Sequence, residues 1–244
     1  SANGLLVQNW ATPGATVSVS DSSVTSAGAT ALVFTLLTGA TGSLSNVNAN
    51  GAIYGVFFPT LTNTAVAVSG STFTGGSATQ GVMLRDSTGS AVVITTSTYV
   101  YHEILNCLNT PPLVFEQPPA ASTTLVKDTT VTGAAAQGVL LKNLNGNVVD
   151  LANVNSAAAT IAVKIEGSTS SQLGINGNSV LAGSADGVHA TGLSTTQLTI
   201  VDTSITASAA AINIADATAG GGITIQRVET FGPHATGIVF SALA

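Results

Sequence analysis

The sequence predicts an all-β chain wound into a parallel β-helix, a rod of about ten stacked coils with three short strands in each. Three observations predict it. A short apolar phrase recurs at a nearly constant interval, the residues that favour helix are almost missing, and Gly, Ser, Thr and Asn punctuate every apolar run.

The composition comes first. Only 7% of the 244 residues are Asp, Glu, Lys or Arg, while 45% are hydrophobic and 26 are Gly; a globular domain ordinarily carries about a quarter charged residues. The apolar set is mostly Val, Ile, Leu and Ala, and β-branched residues favour strands. Gly, Ser and Asn favour the bends between strands. The apolar content is too high and too regularly spaced for a disordered chain. Membrane insertion is not expected. Polar residues interrupt every stretch well short of the ~18 apolar residues of a spanning helix. The strand-like runs are also shorter than the ~10 residues that a membrane barrel strand needs.

The first strand of each coil follows from the recurring phrase, a small residue and then alternating apolar side chains. It reads Gly4-Leu-Leu-Val, Ala31-Leu-Val-Phe, Gly55-Val-Phe-Phe, Gly81-Val-Met-Leu, Pro112-Leu-Val-Phe, Gly138-Val-Leu-Leu, Ile161-Ala-Val-Lys, Gly187-Val-His-Ala, Ala211-Ile-Asn-Ile and Gly237-Ile-Val-Phe, at intervals of 23 to 31 residues. The second strand follows roughly a dozen residues later, as in Val17-Ser-Val-Ser-Asp21, Val66-Ala-Val-Ser69, Leu125-Val-Lys-Asp128 and Leu198-Thr-Ile-Val-Asp202. A third apolar position comes soon after, at Val24, Phe73, Val131, Val180, Ile205 and Val228. Three strands in about two dozen residues is solenoid geometry, in which each coil packs only on its neighbours.

These phrases together resemble the degenerate coil repeat of the right-handed parallel β-helix superfamily, the pectate-lyase-like fold. The resemblance spans residues 4–243 and implies one domain over 1–244. It is nearly silent on activity, because such a fold serves lyases, hydrolases, epimerases, tailspikes and adhesins. The competing fold, an antiparallel sandwich, needs hairpin turns. Asn50-Gly51, Asn145-Gly146, Asn176-Gly177 and Asp186-Gly187 occur, but each falls at a repeat phase or inside a turn.

In the first strand the second and fourth residues point inward, since side chains alternate along a strand. The residue between them points outward. It reads Leu6, Val33, Phe57, Met83, Val114 and Leu140, then Val163, His189, Asn213 and Val239. Six apolar residues in a row form an outer stripe that a covering loop, a second copy or another chain would bury. After the strand lies an outward charged position: Arg85, Glu116, Lys142, and then Lys164 or Glu166. Alternating signs there make an ion-pair ladder the expected role. Asp21, Asp128 and Asp202 share a bend phase, with Asn176 close to it, and short polar side chains cap bends. His189 follows Asp186-Gly-Val and reads as an ordinary outward residue. A longer bulge is expected over 99–112, holding Cys107 and an aromatic group, Tyr99, Tyr101 and His102, suited equally to contact with a glycan or to plugging the apolar stripe.

Function is read from what is present and missing. The net charge is −6 with five basic residues, so the basic stripe that nucleic acid requires is missing. One cysteine leaves no internal disulfide and no cysteine-based metal site; no metal and no cofactor are expected. Members of the superfamily usually close the N-terminal end with an amphipathic helix, for which this chain offers no candidate. It opens at Ser1, as a processed or trimmed product would, on Gly4-Leu5-Leu6-Val7 and closes on Gly237-Ile238-Val239-Phe240, the same phase of its repeat. Exposed β edges recruit strands. The expected function is therefore a structural one, extracellular or on a cell or particle surface. The chain would be a fibre or filament subunit associating with itself end to end or laterally, or a segment of a longer fibre or adhesin. Its assembly edges would be Gly4, Leu5, Val7, Gly237, Ile238 and Phe240.

A glycan-binding module or a carbohydrate-active enzyme is the alternative. Glycosidase chemistry needs two carboxylates roughly 5–10 Å apart, and the resemblance points to this outer face, where Glu116, Glu166, Arg85 and Lys142 would have to serve. The Asn-x-Asp, Asp-Asp and Gly-His-Gly strings of polygalacturonase-like members are missing, as is the acid cluster with which pectate-lyase-like members hold calcium. No catalytic residue is assigned.

Overall fold

The computed structural model describes residues 3–9, 12–75, 81–85, 90–95, 98–101, 113–116, 123–132, 137–218, 220–232 and 236–242. Among them there is no helix, and the chain is a parallel β-solenoid. The recurring first phrase becomes one sheet of ten parallel strands. These are Leu5–Gln8, Leu32–Thr38, Val56–Thr62, Val82–Arg85, Leu113–Glu116, Gln137–Lys142, Ile161–Thr169, Asp186–Ser194, Ala210–Ala215 and Thr236–Ser241. Each strand between the first and the last pairs with the phrase one repeat earlier and one repeat later. A second, 14-stranded sheet carries the other two strands of each coil and bends sharply between them.

Register explains why the apolar pattern repeats so faithfully. A given inward position stands beside its own equivalent one coil away, about 4.8 Å distant, so like packs on like. Val139, Val163, Val188 and Ile212 form one such file, and Leu141, Ile165, Ala190 and Ile214 the next. All eight are buried in a single apolar core, which Val149, Leu173 and Leu198 face from the second sheet. Phe34 and Phe58 stack with ring centroids 5.5 Å apart.

The small residue that opens each first strand has a steric cause. At Gly55, Gly138 and Gly187 a Cβ would stand 2.7, 2.7 and 2.8 Å from the carbonyl oxygen of Gly81, Ala162 and Ala211, the small residues one coil on. The corner between the third strand and the next first strand leaves little room for a side chain.

The bend between second and third strands is a file of left-handed backbone. Asp21, Asn46, Gly70, Asp128, Asn153, Asn178, Asp202 and Arg227 all have φ between 46° and 65°. Asn and Asp reach this region more readily than other residues with a Cβ, and Gly does so freely. Neighbours also clasp each other. Asn46 Nδ2 donates to Asp21 Oδ1 at 3.0 Å and Asn153 Nδ2 to Asp128 Oδ1 at 2.7 Å. The expected place of Asn176 is corrected: Asn178 holds the bend, and Asn176 instead donates from Nδ2 to Asp150 Oδ1 at 2.6 Å. Gly177, also left-handed, is the extra residue that moves the bend along.

A hydroxyl follows many of these bends and turns inward. Ser71 Oγ donates to the Ser69 carbonyl at 2.8 Å and accepts from the Val47 N–H at 3.1 Å. Thr129 and Thr203 bond the carbonyls of Lys127 and Val201 in the same way, at 2.7 and 3.0 Å. The bend thus satisfies buried backbone groups that the ladder itself cannot reach.

Candidate functional sites on the coil faces and the outer sheet

The residues expected to form assembly edges lie on the first and last rungs of the first sheet. Leu5 and Val7 are half-buried against the core. Ile238 and Phe240 are 44% and 47% exposed, although they occupy the inward file that Ile212 and Ile214 fill one rung earlier with complete burial. Ile223, Ile225 and Val228, the inward residues of the last second-sheet strand, are likewise only partly covered. Gly4 already lies close to a neighbouring coil, its Cβ position 2.8 Å from the Ala31 carbonyl oxygen, whereas Gly237 has no atom within 4 Å of the corresponding point.

The residues read from sequence as outward form one continuous file. Leu6, Val33, Phe57, Met83, Val114 and Leu140 are successive register partners along the first sheet. Their surroundings differ. Leu6 is 45% exposed, Phe57 and Leu140 are half-buried, and Val33 and Met83 are buried despite pointing away from the core. Part of the cover is the Tyr54 ring, tilted against Phe57 at 4.9 Å. Beyond Leu140 the file continues as Lys164, His189, Asn213 and Val239. Val163, read from sequence as outward, is fully buried, and Lys164 takes the outward place.

The charged residues also share a file. Arg85, Glu116, Lys142 and Glu166 are consecutive register partners with alternating sign. Glu166 rather than Lys164 continues it, and the Lys164 ammonium closes an ion pair onto Glu166 from two residues earlier in the same strand. Glu116 and Glu166 stand two rungs apart, about 10 Å along the rod at ~4.8 Å per rung. Tyr99 and Tyr101 contribute backbone to the strand Thr98–Tyr101, so the longer bulge does not begin at residue 99. His102 and Cys107 lie outside the described residues.

Sequence reasoning missed one constellation. The Asp186 side chain is buried at the corner that precedes its strand. It meets His189 Nδ1 at 2.7 Å and accepts from Asn213 Nδ2 and the Ala210 N–H, both at 3.2 Å. The Asp-x-x-His spacing does not follow strand periodicity, so an outward histidine and a corner aspartate looked unrelated. Their partnership orients the imidazole on the outer face, with Lys164 one rung away. Among the described residues no group of three or more His, Cys, Asp or Glu side chains is placed to hold a metal ion.

At the far end of the bend file Arg227 grips Asp202, Nε to Oδ1 at 2.5 Å and Nη2 to Oδ2 at 2.8 Å. These hydrogen bonds hold the Asp202 carboxyl below its ordinary range, and they hold the Arg227 guanidinium above its own. Both groups are solvent-exposed, so the clasp is a surface feature.

Comparison with family models, with curated proteins and with solved structures finds no match to this chain.

Proposed function

We propose that the chain is a structural β-solenoid module of an extracellular or particle-surface fibre, a rod that lengthens by accepting further parallel coils. One observation carries the reading. The same inward positions that are fully buried at Ile212 and Ile214 are about half exposed at Ile238 and Phe240, beside an open parallel strand. Exposed apolar surface next to unpaired backbone groups is the condition under which β edges recruit another strand. A coil of the same pattern buries both at once. The sparse charge and the Ser/Thr-rich exterior suit a scaffold outside the cell.

Register restricts how two copies meet. The first sheet has ten strands, while the second strand of the coil occupies nine rungs of the second sheet, from Thr16–Ser20 to the first half of Gly222–Phe231. Seating Leu5–Gln8 of one copy on Thr236–Ser241 of another therefore leaves one rung open in the second sheet. The joint is made through the first sheet, a heterologous contact that does not close on itself.

Sedimentation and negative-stain electron microscopy of the full chain test this. The expected result is rods longer than the ~43 Å spanned by ten strands at ~4.8 Å spacing, lengthening with concentration. A strictly monomeric species at high concentration overturns self-association.

A further inference from the structure

The chain contains four Asn-Gly pairs, Asn3-Gly4, Asn50-Gly51, Asn145-Gly146 and Asn176-Gly177. Such a pair is able to modify itself, which is one reason asparagine is thermolabile. The glycine nitrogen attacks Cγ of the asparagine side chain, forming a bond from nitrogen to Cγ. The bond from Cγ to Nδ2 breaks, and the amide nitrogen departs as ammonia with the proton of the glycine N–H. Water then opens the succinimide ring to aspartate or isoaspartate. Glycine favours the step because it has no side chain to hinder or restrict the attacking backbone. In a folded chain the step also needs a glycine N–H that no hydrogen bond already holds.

The fold separates the four pairs. Gly4 donates its N–H to the Thr30 carbonyl at 3.0 Å, and Gly146 donates its own to the Thr169 carbonyl at 2.9 Å. Gly51 is buried at a corner, where a Cβ would press on the Tyr54 carbonyl oxygen and stand 2.8 Å from the Ala31 nitrogen. Gly177 is different. It is the extra residue at its bend, exposed and left-handed at φ 67°. Among the described residues no acceptor takes its N–H. Asn176 ends the strand Gln172–Asn176, and its half-buried carboxamide donates from Nδ2 to Asp150 Oδ1 at 2.6 Å.

That hydrogen bond sets both the rate and the consequence. It must open before the carboxamide swings to the Gly177 nitrogen, so the fold slows the reaction without blocking it. Once Asn176 has become an ionised acid it no longer donates, and two carboxylates at that separation repel. Isoaspartate also adds a methylene to the backbone beside the bend.

We propose that Asn176 is a self-modification site of the folded rod, converting through a succinimide with Gly177 and so releasing the clasp between two consecutive coils.

The test ages the full folded chain in mildly alkaline buffer and digests it with trypsin. Cuts after Arg85, Lys142 and Lys164 place Asn50, Asn145 and Asn176 on different peptides, and fragment masses separate Asn3 from Asn50. Asn176 is expected to convert severalfold faster than the other three, and the four are expected to convert at similar rates in guanidinium chloride. Gly177→Ala is expected to slow conversion of Asn176 at least tenfold. Asn176→Asp is expected to lower the urea midpoint, and Asp150→Asn in the same chain to restore it. Asn3, Asn50 or Asn145 converting in the fold as fast as Asn176 would overturn the proposal, as would a ranking that persists in guanidinium chloride. A loss in Asn176→Asp that Asp150→Asn leaves untouched would overturn the released clasp. The ranking needs no variant, so it decides the matter even where Gly177→Ala fails to fold.

Discussion

Rungs in the middle of the rod and the last rung carry the same phrase in different surroundings. Gly187-Val-His-Ala and Gly237-Ile-Val-Phe both place a small residue at the corner and two apolar residues inward. In the first, Val188 and Ala190 are completely buried and a Cβ at Gly187 would meet Ile205 Cγ2 at 1.9 Å. In the second, Ile238 and Phe240 are about half exposed and Gly237 stands in open space. Burial in this fold is thus a property of having a coil on each side. The apolar code is written identically in the buried rungs and in the exposed one.

The largest expected effect tests that difference in the core. Leu141→Ala removes a side chain 1% exposed between two filled rungs and is expected to destabilise by about 2–5 kcal/mol, as cavity-forming substitutions do. Phe240→Ala removes a larger side chain but is expected to cost less than half as much in dilute solution. Urea denaturation of both variants measures the contrast. Equal costs would break it, and would mean that the last rung is covered in solution.

The corner residues sharpen it further. Gly187→Ala must displace Ile205 and press on the Ala211 carbonyl oxygen, 2.8 Å from the new Cβ; overpacking of this kind costs about 1–3 kcal/mol. Gly237→Ala meets nothing, and its effect is expected within about 0.5 kcal/mol of zero, as at other open sites. Thermal melts of the pair read the difference directly. A neutral Gly187→Ala would show that the corner is looser than its geometry.

How far this was legible in the sequence depends on what each position must satisfy. The inward files could be read because identical positions stack, so every coil repeats the same demand. The slip at Val163 has a visible origin. Read from sequence, the phrase at that coil begins on Ile161, whereas the small corner residue is Ala162, and the short interval of 23 residues is the trace of it. The bends were legible at Asp21, Asp128 and Asp202 only. Left-handed backbone admits Asn and Gly equally well, so the intervening Asn46, Gly70 and Asn153 disguise the file. Arg227 disguises it most, since a long side chain at φ 48° costs about 1–2 kcal/mol. The Asp186–His189 contact was illegible because it joins a corner to a strand. Coverage of Val33 and Met83 depends on what crosses the outer face, which strand alternation does not encode.

The smallest effect concerns the last link of the bend file. Because Arg227 holds the Asp202 carboxyl below its ordinary value of 3.8, the folded state binds that proton less readily than the unfolded chain. The clasp therefore contributes stability at pH above 3.8, and that contribution fades as pH falls through the lowered value. Arg227→Gln keeps a residue with a Cβ in the left-handed bend but removes the charge. Its urea midpoint is expected slightly below that of the parent chain at pH 6, with the two converging as the pH approaches 3. Raising the ionic strength at pH 6 is expected to narrow the gap as well, since exposed charges are screened. A gap that persists unchanged at pH 3 and in high salt would assign the loss to packing of the Arg227 stem. The ionic clasp would then be incidental, and the last rung would differ from its neighbours by apolar exposure alone.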